Sequence, residues 1–251
     1  MPEFTLLQWI LACTAAFCAG VSKAGLAGVG LLGVTFMAAA VSGKQSSGIV
    51  LPLLIFADLI AAFSFREHVQ WPQIRRLAWP IVMGIIAGWG LLMVIPDMAF
   101  RPIIGGMVLV MLTLQIVRQK FPGFDAALPH SRAFAWFSGV LTGTATMVAN
   151  AAGPIASTYL IILSLPKQQF VHTMAWLFLF VNIFKVPFSV HLGLINVGSL
   201  SLNLCLVPAV LAGLWSGKRL LEWVPQKVFQ SIVLWLATIS AASLIFSPFF
   251  T

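Results

Sequence analysis

The sequence predicts an all-α polytopic membrane protein, with about eight transmembrane elements in two related halves of four elements each. Three observations support this prediction. Hydrophobic residues make up 60% of the 251 positions and charged residues only 8%, whereas soluble domains contain about a quarter charged residues. Apolar runs long enough to cross a bilayer follow one another with only short polar connections between them. The runs also repeat one pattern, a long element followed by three shorter ones.

The first half, expected over 4–117, begins with an apolar run that is too long for a single span. This run covers about 4–41 and is interrupted by Ser22, Lys23 and several glycines. Three shorter runs follow, at about 48–65, 74–95 and 102–117. We therefore expect the first element to be broken or re-entrant and the next three to be ordinary spans.

The second half, expected over 133–249, repeats this order. An interrupted run at about 133–163 precedes three shorter runs, at about 169–190, 200–221 and 228–249. Six residues recur between the halves at one offset of 129: Gly84, Gly88, Leu91, Leu92, Pro96 and Phe100 match Gly213, Gly217, Leu220, Leu221, Pro225 and Phe229. The longest polar connection, 118–132, is expected to be a cytoplasmic linker within a single membrane domain that covers 1–251.

The distribution of basic residues favours inverted halves. If each long element returns to the side where it began, the second half is inverted relative to the first. Ten basic residues then lie inside: Arg66, Arg75, Arg76, Arg118, Lys120, Arg132, Lys167, Lys218, Arg219 and Lys227. Only Lys44 and Arg101 lie outside, as the positive-inside rule requires. If each long element crosses once, the halves are parallel and the basic residues divide evenly. The net charge of +8 is thus explained by orientation in the membrane, and no nucleic-acid partner is expected.

The first interruption is a candidate anion site. It contains Ser22, Lys23, Gly25 and Gly28, and a lysine at membrane depth is costly unless it faces a cavity or a partner. Glycines allow unusual backbone conformations, and amide groups at helix N-termini attract anions. The alternative is close helix packing through small residues.

The second interruption lies at the corresponding place in the other half. Thr144, Thr146 and Asn150 offer hydrogen bonds to a polar solute, and Gly153-Pro154 is expected to stop a helix. Threonines in membrane helices often bond only to their own backbone, so a structural role for Thr144 remains open. Paired interruptions in two halves are the best sequence indication of a transporter binding site.

Three more polar residues lie within predicted spans. Asp58 lies almost opposite Asn182 when the halves are aligned, and Lys185 precedes Pro187 by two residues. Asp58 is a candidate for proton coupling, and the alternative is a structural salt bridge to Lys23 or Lys185. Lys185 is expected to face a cavity beside a helix broken at Pro187, or else to extend to the membrane interface.

Several segments together resemble the sulfite exporter TauE/SafE family of permeases. These segments are Gly20 to Gly25, Leu51-Pro52-Leu53-Leu54 with Asp58, Arg66 to Trp71, and Asn182 to Pro187. The resemblance covers essentially the whole chain. It implies eight spans in two halves, a bacterial inner membrane location, and transport of sulfite, sulfonates or related sulfur-containing anions.

The resulting functional prediction is a secondary transporter, specifically an exporter of a small sulfur-containing anion, with Asp58 as a candidate for proton coupling. An anion-selective channel and a membrane subunit of a larger complex remain as alternatives. The sequence shows no motif of an enzyme, and its three cysteines lack metal-ligand spacing. We therefore expect no catalysis, no cofactor and no metal. The expected partners are the anion and membrane lipid, and a homo-oligomer is compatible with the sequence.

Overall fold

The computed structural model describes residues 4–24, 29–41, 44–64, 67–121, 131–163 and 165–223, and within these ranges all regular secondary structure is helical. The helices of the first half are α1 (Leu6–Lys23), α2 (Val29–Ala40), α3 (Gln45–Ser64), α4 (Trp71–Val94) and α5 (Asp97–Lys120). Those of the second half are α6 (Arg132–Ala149), α7 (Gly153–Ile162), α8 (Lys167–His191) and α9 (Val197–Trp223). The predicted span at 228–249 lies outside the described residues.

Five of the described helices, α1, α3, α4, α8 and α9, are long and apolar enough to cross a membrane. Their outward faces carry large apolar side chains, such as Trp79, Val94 and Leu204, which are more than 70% exposed. Apolar surface of this extent is unstable in water and is suited to contact with lipid. The described helices are therefore consistent with a polytopic membrane protein.

Each long apolar run divides into two helices, as predicted from the interruptions. In the first half, α1 ends at Lys23 and α2 begins at Val29. In the second half, α6 ends at Ala149 because Asn150 adopts a left-handed conformation with φ of 52°. Helices commonly end at such a residue, where the next peptide group can no longer continue the helical hydrogen bonds.

Three details of the predicted elements differ in the structure. Gly153-Pro154, which was expected to stop a helix, begins α7 instead, and the preceding helix already ends at Ala149. Helix α5 continues to Lys120, three residues into the segment expected to be linker, because basic residues are favourable in the last turn of a helix. Helix α8 continues through Pro187 without a break. Proline inside a membrane helix is tolerated where neighbouring helices satisfy the backbone group that it frees.

Helix α2 folds back along α1 to form a hairpin. A Cβ atom on Gly33 would lie 3.0 Å from the carbonyl oxygen of Ala15, whereas one on Gly30 would lie 3.4 Å from Cβ of Ser22. Later residues of α2 thus meet earlier residues of α1, so the two helices are antiparallel. The hairpin brings the N-terminus of α2 close to the C-terminus of α1.

Two pairs of helices pack through glycines in matching ways. On α1 and α9, Gly20 faces the carbonyl oxygen of Val210, and Gly213 faces that of Phe17. On α6 and α4, Gly143 faces the carbonyl oxygen of Ile81, and Gly84 faces that of Val140. The residues of the two contacts correspond between the halves. Gly20 and Phe17 precede Gly143 and Val140 by 123 positions, and Gly84 and Ile81 precede Gly213 and Val210 by 129 positions. A side chain at any of these glycines would displace the facing backbone, which is why small residues occur there.

Helices α3 and α8 cross the centre of the protein in opposite directions. Near the start of α3, Gly48 packs against Leu194, just beyond the end of α8. Further along α3, Asp58 meets Asn182. Beyond its end, the backbone N–H of Gln70 donates to the hydroxyl of Thr173, near the start of α8, at 3.0 Å. The two helices occupy corresponding places in the two halves, and they carry the polar residues of the site.

Candidate functional site

A cavity of about 100 Å³ lies where the two interruptions meet. It is bounded by the hairpin α1–α2, the middle of α3, the α6–α7 junction and α8. The first turns of both short helices face it, through Gly30 of α2 and Gly153 of α7. Because the N-terminus of a helix carries partial positive charge and unpaired N–H groups, both ends favour an anion.

Lys23 and Asp58 form a buried ion pair at this cavity. The Nζ atom of Lys23 lies 2.7 Å from Oδ1 of Asp58 and 4.5 Å from the centre of the Phe178 ring. The carboxylate has no exposed surface, and its other oxygen accepts a hydrogen bond of 2.6 Å from Nδ2 of Asn182. The salt bridge that the sequence left as an alternative for Asp58 is therefore present in the fold, and its partner is Lys23.

Lys185 is also buried, with 1% exposure, so its side chain does not extend to the membrane interface. Its ammonium donates to Oδ1 of Asn150 at 2.5 Å and to Oγ1 of Thr146 at 3.2 Å. Both acceptors are neutral, and no described carboxylate lies within ion-pair distance of Lys185. The ammonium thus lies just behind the cavity wall that Thr146 and Asn150 form.

Asn150 connects the second interruption to α3. Its Nδ2 atom donates to the carbonyl oxygen and the hydroxyl oxygen of Ser47, at 3.0 and 3.1 Å, while its Oδ1 atom accepts from Lys185. Asparagine is one of the few residues with a side chain that tolerates the left-handed conformation found here. One residue therefore ends α6 and orients the buried ammonium.

The hydroxyl of Thr146 has a particular role in this arrangement. Its oxygen accepts from Lys185, and its hydrogen has no acceptor among the described residues. Because a hydroxyl both donates and accepts, Thr146 can donate to a solute while the ammonium behind it strengthens that donation. Asn182 also lines the cavity, and its Oδ1 atom is buried without a hydrogen-bond partner in the described part of the chain.

With Lys185 protonated, the charges of the site leave an excess of one positive unit. Lys23 is neutralised by Asp58, whereas Lys185 has only neutral partners. A charge buried at membrane depth is costly without compensation. A small anion in the adjacent cavity would supply that compensation, with the two helix N-termini adding to the attraction.

The structure brings most of the sequence candidates together. Ser22, Lys23, Asp58, Asn150, Gly153 and Asn182 line the cavity, and Lys185 lies directly behind it. Gly25 and Gly28 lie outside the described residues.

Thr144 is not among the residues that line the cavity. Its hydroxyl donates to the carbonyl oxygens of Gly84 and Val140, at 3.1 and 3.0 Å, as expected for a threonine that bonds to backbone. Thr146 occupies the cavity wall instead. The sequence had indicated Thr146 as a hydrogen-bonding candidate, and Thr146 also follows Lys23 by the same 123 positions that relate Gly20 to Gly143. No sequence signal indicated the contact with Ser47.

A protein-family model described as "Sulfite exporter TauE/SafE" matches residues 12–244. The matched range includes every residue of the site described above. Comparisons with curated proteins and with solved structures gave no match.

Proposed function

The chain belongs to the sulfite exporter TauE/SafE family, and on that premise we propose that it is a secondary transporter that exports a small sulfur-containing anion, such as sulfite or an organosulfonate. The family supports transport of a sulfur-containing anion. The observation that carries the proposal within this molecule is the buried Lys185, whose ammonium has only neutral partners beside a cavity faced by two helix N-termini. We place the protein in the cell membrane as a multi-pass protein.

The anion is proposed to lie between the two interruptions. Its oxygens accept from Thr146 and from the N–H groups at the starts of α2 and α7, and Lys185 supplies the balancing charge. Asn182 supplies an acceptor for a protonated oxygen, such as that of hydrogensulfite. A tetrahedral or pyramidal oxyanion can use several donors at once, which suits a site with donors on several sides.

Asp58 is the proposed proton-coupling residue. While ionised, it holds Lys23 through the ion pair. A proton on Asp58 removes the countercharge and leaves Lys23 available to the anion. Proton binding and anion binding then favour the same state of the site, which is the condition for coupling the two.

An inverted repeat is proposed for the architecture, with halves at 4–117 and 133–249. The antiparallel course of the corresponding helices α3 and α8 supports it. The glycine contacts also support it. Helix α1 of the first half packs on α9 of the second half, and α6 of the second half packs in the same way on α4 of the first half. Such repeats place the substrate site at their interface, which is where the cavity lies.

Transport can be tested with the purified protein in proteoliposomes and ³⁵S-labelled sulfite. We expect saturable, pH-dependent exchange in the wild type and its loss in Lys185→Ala. Lys120→Ala is the matched control, because it removes one positive charge from an exposed helix end. Wild-type vesicles that exchange no sulfur-containing anion would contradict the proposal. High conductance without saturation would indicate a channel instead.

A further inference from the structure

A second cavity adjoins the central one at the C-terminal ends of α1, α3 and α9. It has a volume of about 190 Å³, and its polar lining residues are Lys23, Ser64 and Lys218. We call it the basic vestibule. Lys23 and Ala61 line both cavities. The side chain of Lys23 is therefore part of the wall between them.

The basic vestibule is suited to attracting an anion. Two of its lining residues are lysines, of which Lys23 is paired with Asp58, and none of the described residues that line the vestibule is acidic. The remaining wall is apolar, and low-dielectric walls concentrate the field of the charges that they surround. Trp215 is 60% exposed and Lys218 is exposed, so the vestibule opens at the protein surface.

The orientation of the helices places this opening on the cytoplasmic side. The segment after α3 carries Arg66, and the beginning of α4 carries Arg75 and Arg76. Basic residues in short loops and near the ends of spans are concentrated on the cytoplasmic side. Helices α1 and α9 pack in parallel, because Phe17 meets Gly213 while Ala24, further along α1, meets Gly217. The ends of both helices thus lie together at one side of the membrane.

The ion pair between Lys23 and Asp58 lies between the basic vestibule and the central cavity. An anion coming from the vestibule first meets the ammonium of Lys23, which is held by Asp58 at 2.7 Å and covered by the ring of Phe178. Behind the ammonium, the buried carboxylate of Asp58 repels the anion. Passage therefore requires that the anion replaces Asp58 as the partner of Lys23, or that Asp58 is neutralised.

We propose that the basic vestibule is the cytoplasmic entry site for the transported anion, and that the Lys23–Asp58 ion pair is the barrier between it and the central cavity. This inference rests on the proposed function and adds to it the entry site of the anion and the barrier that the anion must pass. Lys218 is the entry residue, which binds oxyanion or sulfonate oxygens before Lys23 does. The ligand class is the same at both sites.

The entry site can be tested by cysteine labelling, which requires no transport. The native cysteines are replaced (Cys13→Ser, Cys18→Ala, Cys205→Ser), and Ser64→Cys is introduced in the vestibule. Inside-out vesicles are treated with an anionic sulfonatoethyl and a cationic trimethylammonium methanethiosulfonate, and each rate is normalised to that of a free thiol. We expect the anionic reagent to be favoured on the order of tenfold. Lys218→Gln should remove this preference, whereas the control Lys120→Gln should retain it.

The barrier is tested at Ser22, which lines the central cavity. In the same background, Ser22→Cys should react slowly from the cytoplasmic side while the ion pair is intact. Asp58→Asn should raise the rate with the anionic reagent at least tenfold, on the order expected when a barrier charge is removed. The double variant Lys23→Gln/Asp58→Asn removes both charges of the pair, so neither partner is left buried without the other, and it provides the same test if Asp58→Asn does not fold.

Three results would overturn the inference. Equal normalised rates at Ser64→Cys, or a preference unaffected by Lys218→Gln, would exclude the entry site. An unchanged rate at Ser22→Cys after removal of the ion pair would exclude the barrier. Failure of the proposed function looks different, because the expected labelling pattern would then occur in a protein that transports no sulfur-containing anion.

Discussion

Replacing Asp58 with asparagine removes the carboxylate that neutralises Lys23 but keeps the shape of the side chain. The two charged atoms lie 2.7 Å apart, and the side chains of Lys23 and Asp58 are 11% and 0% exposed. At an effective dielectric constant of about 20, the attraction is about 6 kcal/mol, before the cost of removing both charges from water. Because the variant leaves a buried ammonium without its partner, we expect the free energy of unfolding to fall by about 3–5 kcal/mol.

The assay is a double-mutant cycle with Lys23→Met, Asp58→Asn and the double variant. Equilibrium unfolding in mixed detergent micelles can be followed by tryptophan fluorescence, since the chain contains nine tryptophans. The double variant removes both charges, so its loss should be smaller than the sum of the single losses by about 2–3 kcal/mol. Additivity within about 0.5 kcal/mol would refute the ion pair as a stabilising contact of the folded protein.

Sulfite extends the same test to the site. In Asp58→Asn, a bound anion can take the place of the missing carboxylate at Lys23. Sulfite should therefore raise the apparent melting temperature of Asp58→Asn by more than that of the wild type, since ligands stabilise the state that they bind. An equal or smaller shift in the variant would show that the anion does not reach Lys23.

Three further predictions concern packing and hydrogen bonding. Gly84→Ala should lower the free energy of unfolding by about 1–3 kcal/mol, because the new methyl group meets the backbone of α6. Gly90 lies on the same helix but faces open space, so the control Gly90→Ala should cause no loss of stability in the same assay. Asn150→Gly keeps the left-handed backbone but removes the partner of the buried ammonium, so sulfite affinity in a binding titration should fall about tenfold. Thr146→Val should weaken sulfite binding several-fold, by about 1 kcal/mol, whereas the control Thr144→Val should affect only stability. Equal effects of the two threonine variants on sulfite binding would contradict the assigned roles.

The charged residues of the site were predictable because each is an exception within an apolar run. Lys23, Asp58 and Lys185 are conspicuous in the sequence for that reason, and their burial costs free energy that a structural or functional partner must offset. What the sequence did not determine was the pairing. Both lysines were possible partners for Asp58, and the choice depends on how α1 and α8 approach α3, which is a tertiary property.

The limits of the prediction have similar causes. Thr144 and Thr146 are two positions apart and of one residue type, so only the packing of α6 on α4 decides which hydroxyl meets backbone and which meets the cavity. The break expected at Pro187 was wrong, since α8 continues through this residue to His191, and a proline does not by itself end a membrane helix. The two interrupted runs were predicted correctly, since their glycine and polar content conflicts with a continuous apolar helix.

The central claim is that a positively charged site beside Lys185 binds a small sulfur-containing anion. Its most direct test is equilibrium binding of ³⁵S-labelled sulfite to the purified protein, with Lys185→Met and Lys120→Met measured in parallel. We predict saturable binding to the wild type and to Lys120→Met, and a loss of at least about tenfold in affinity for Lys185→Met, as expected for a charged hydrogen-bond donor. Unchanged affinity in Lys185→Met would contradict the claim.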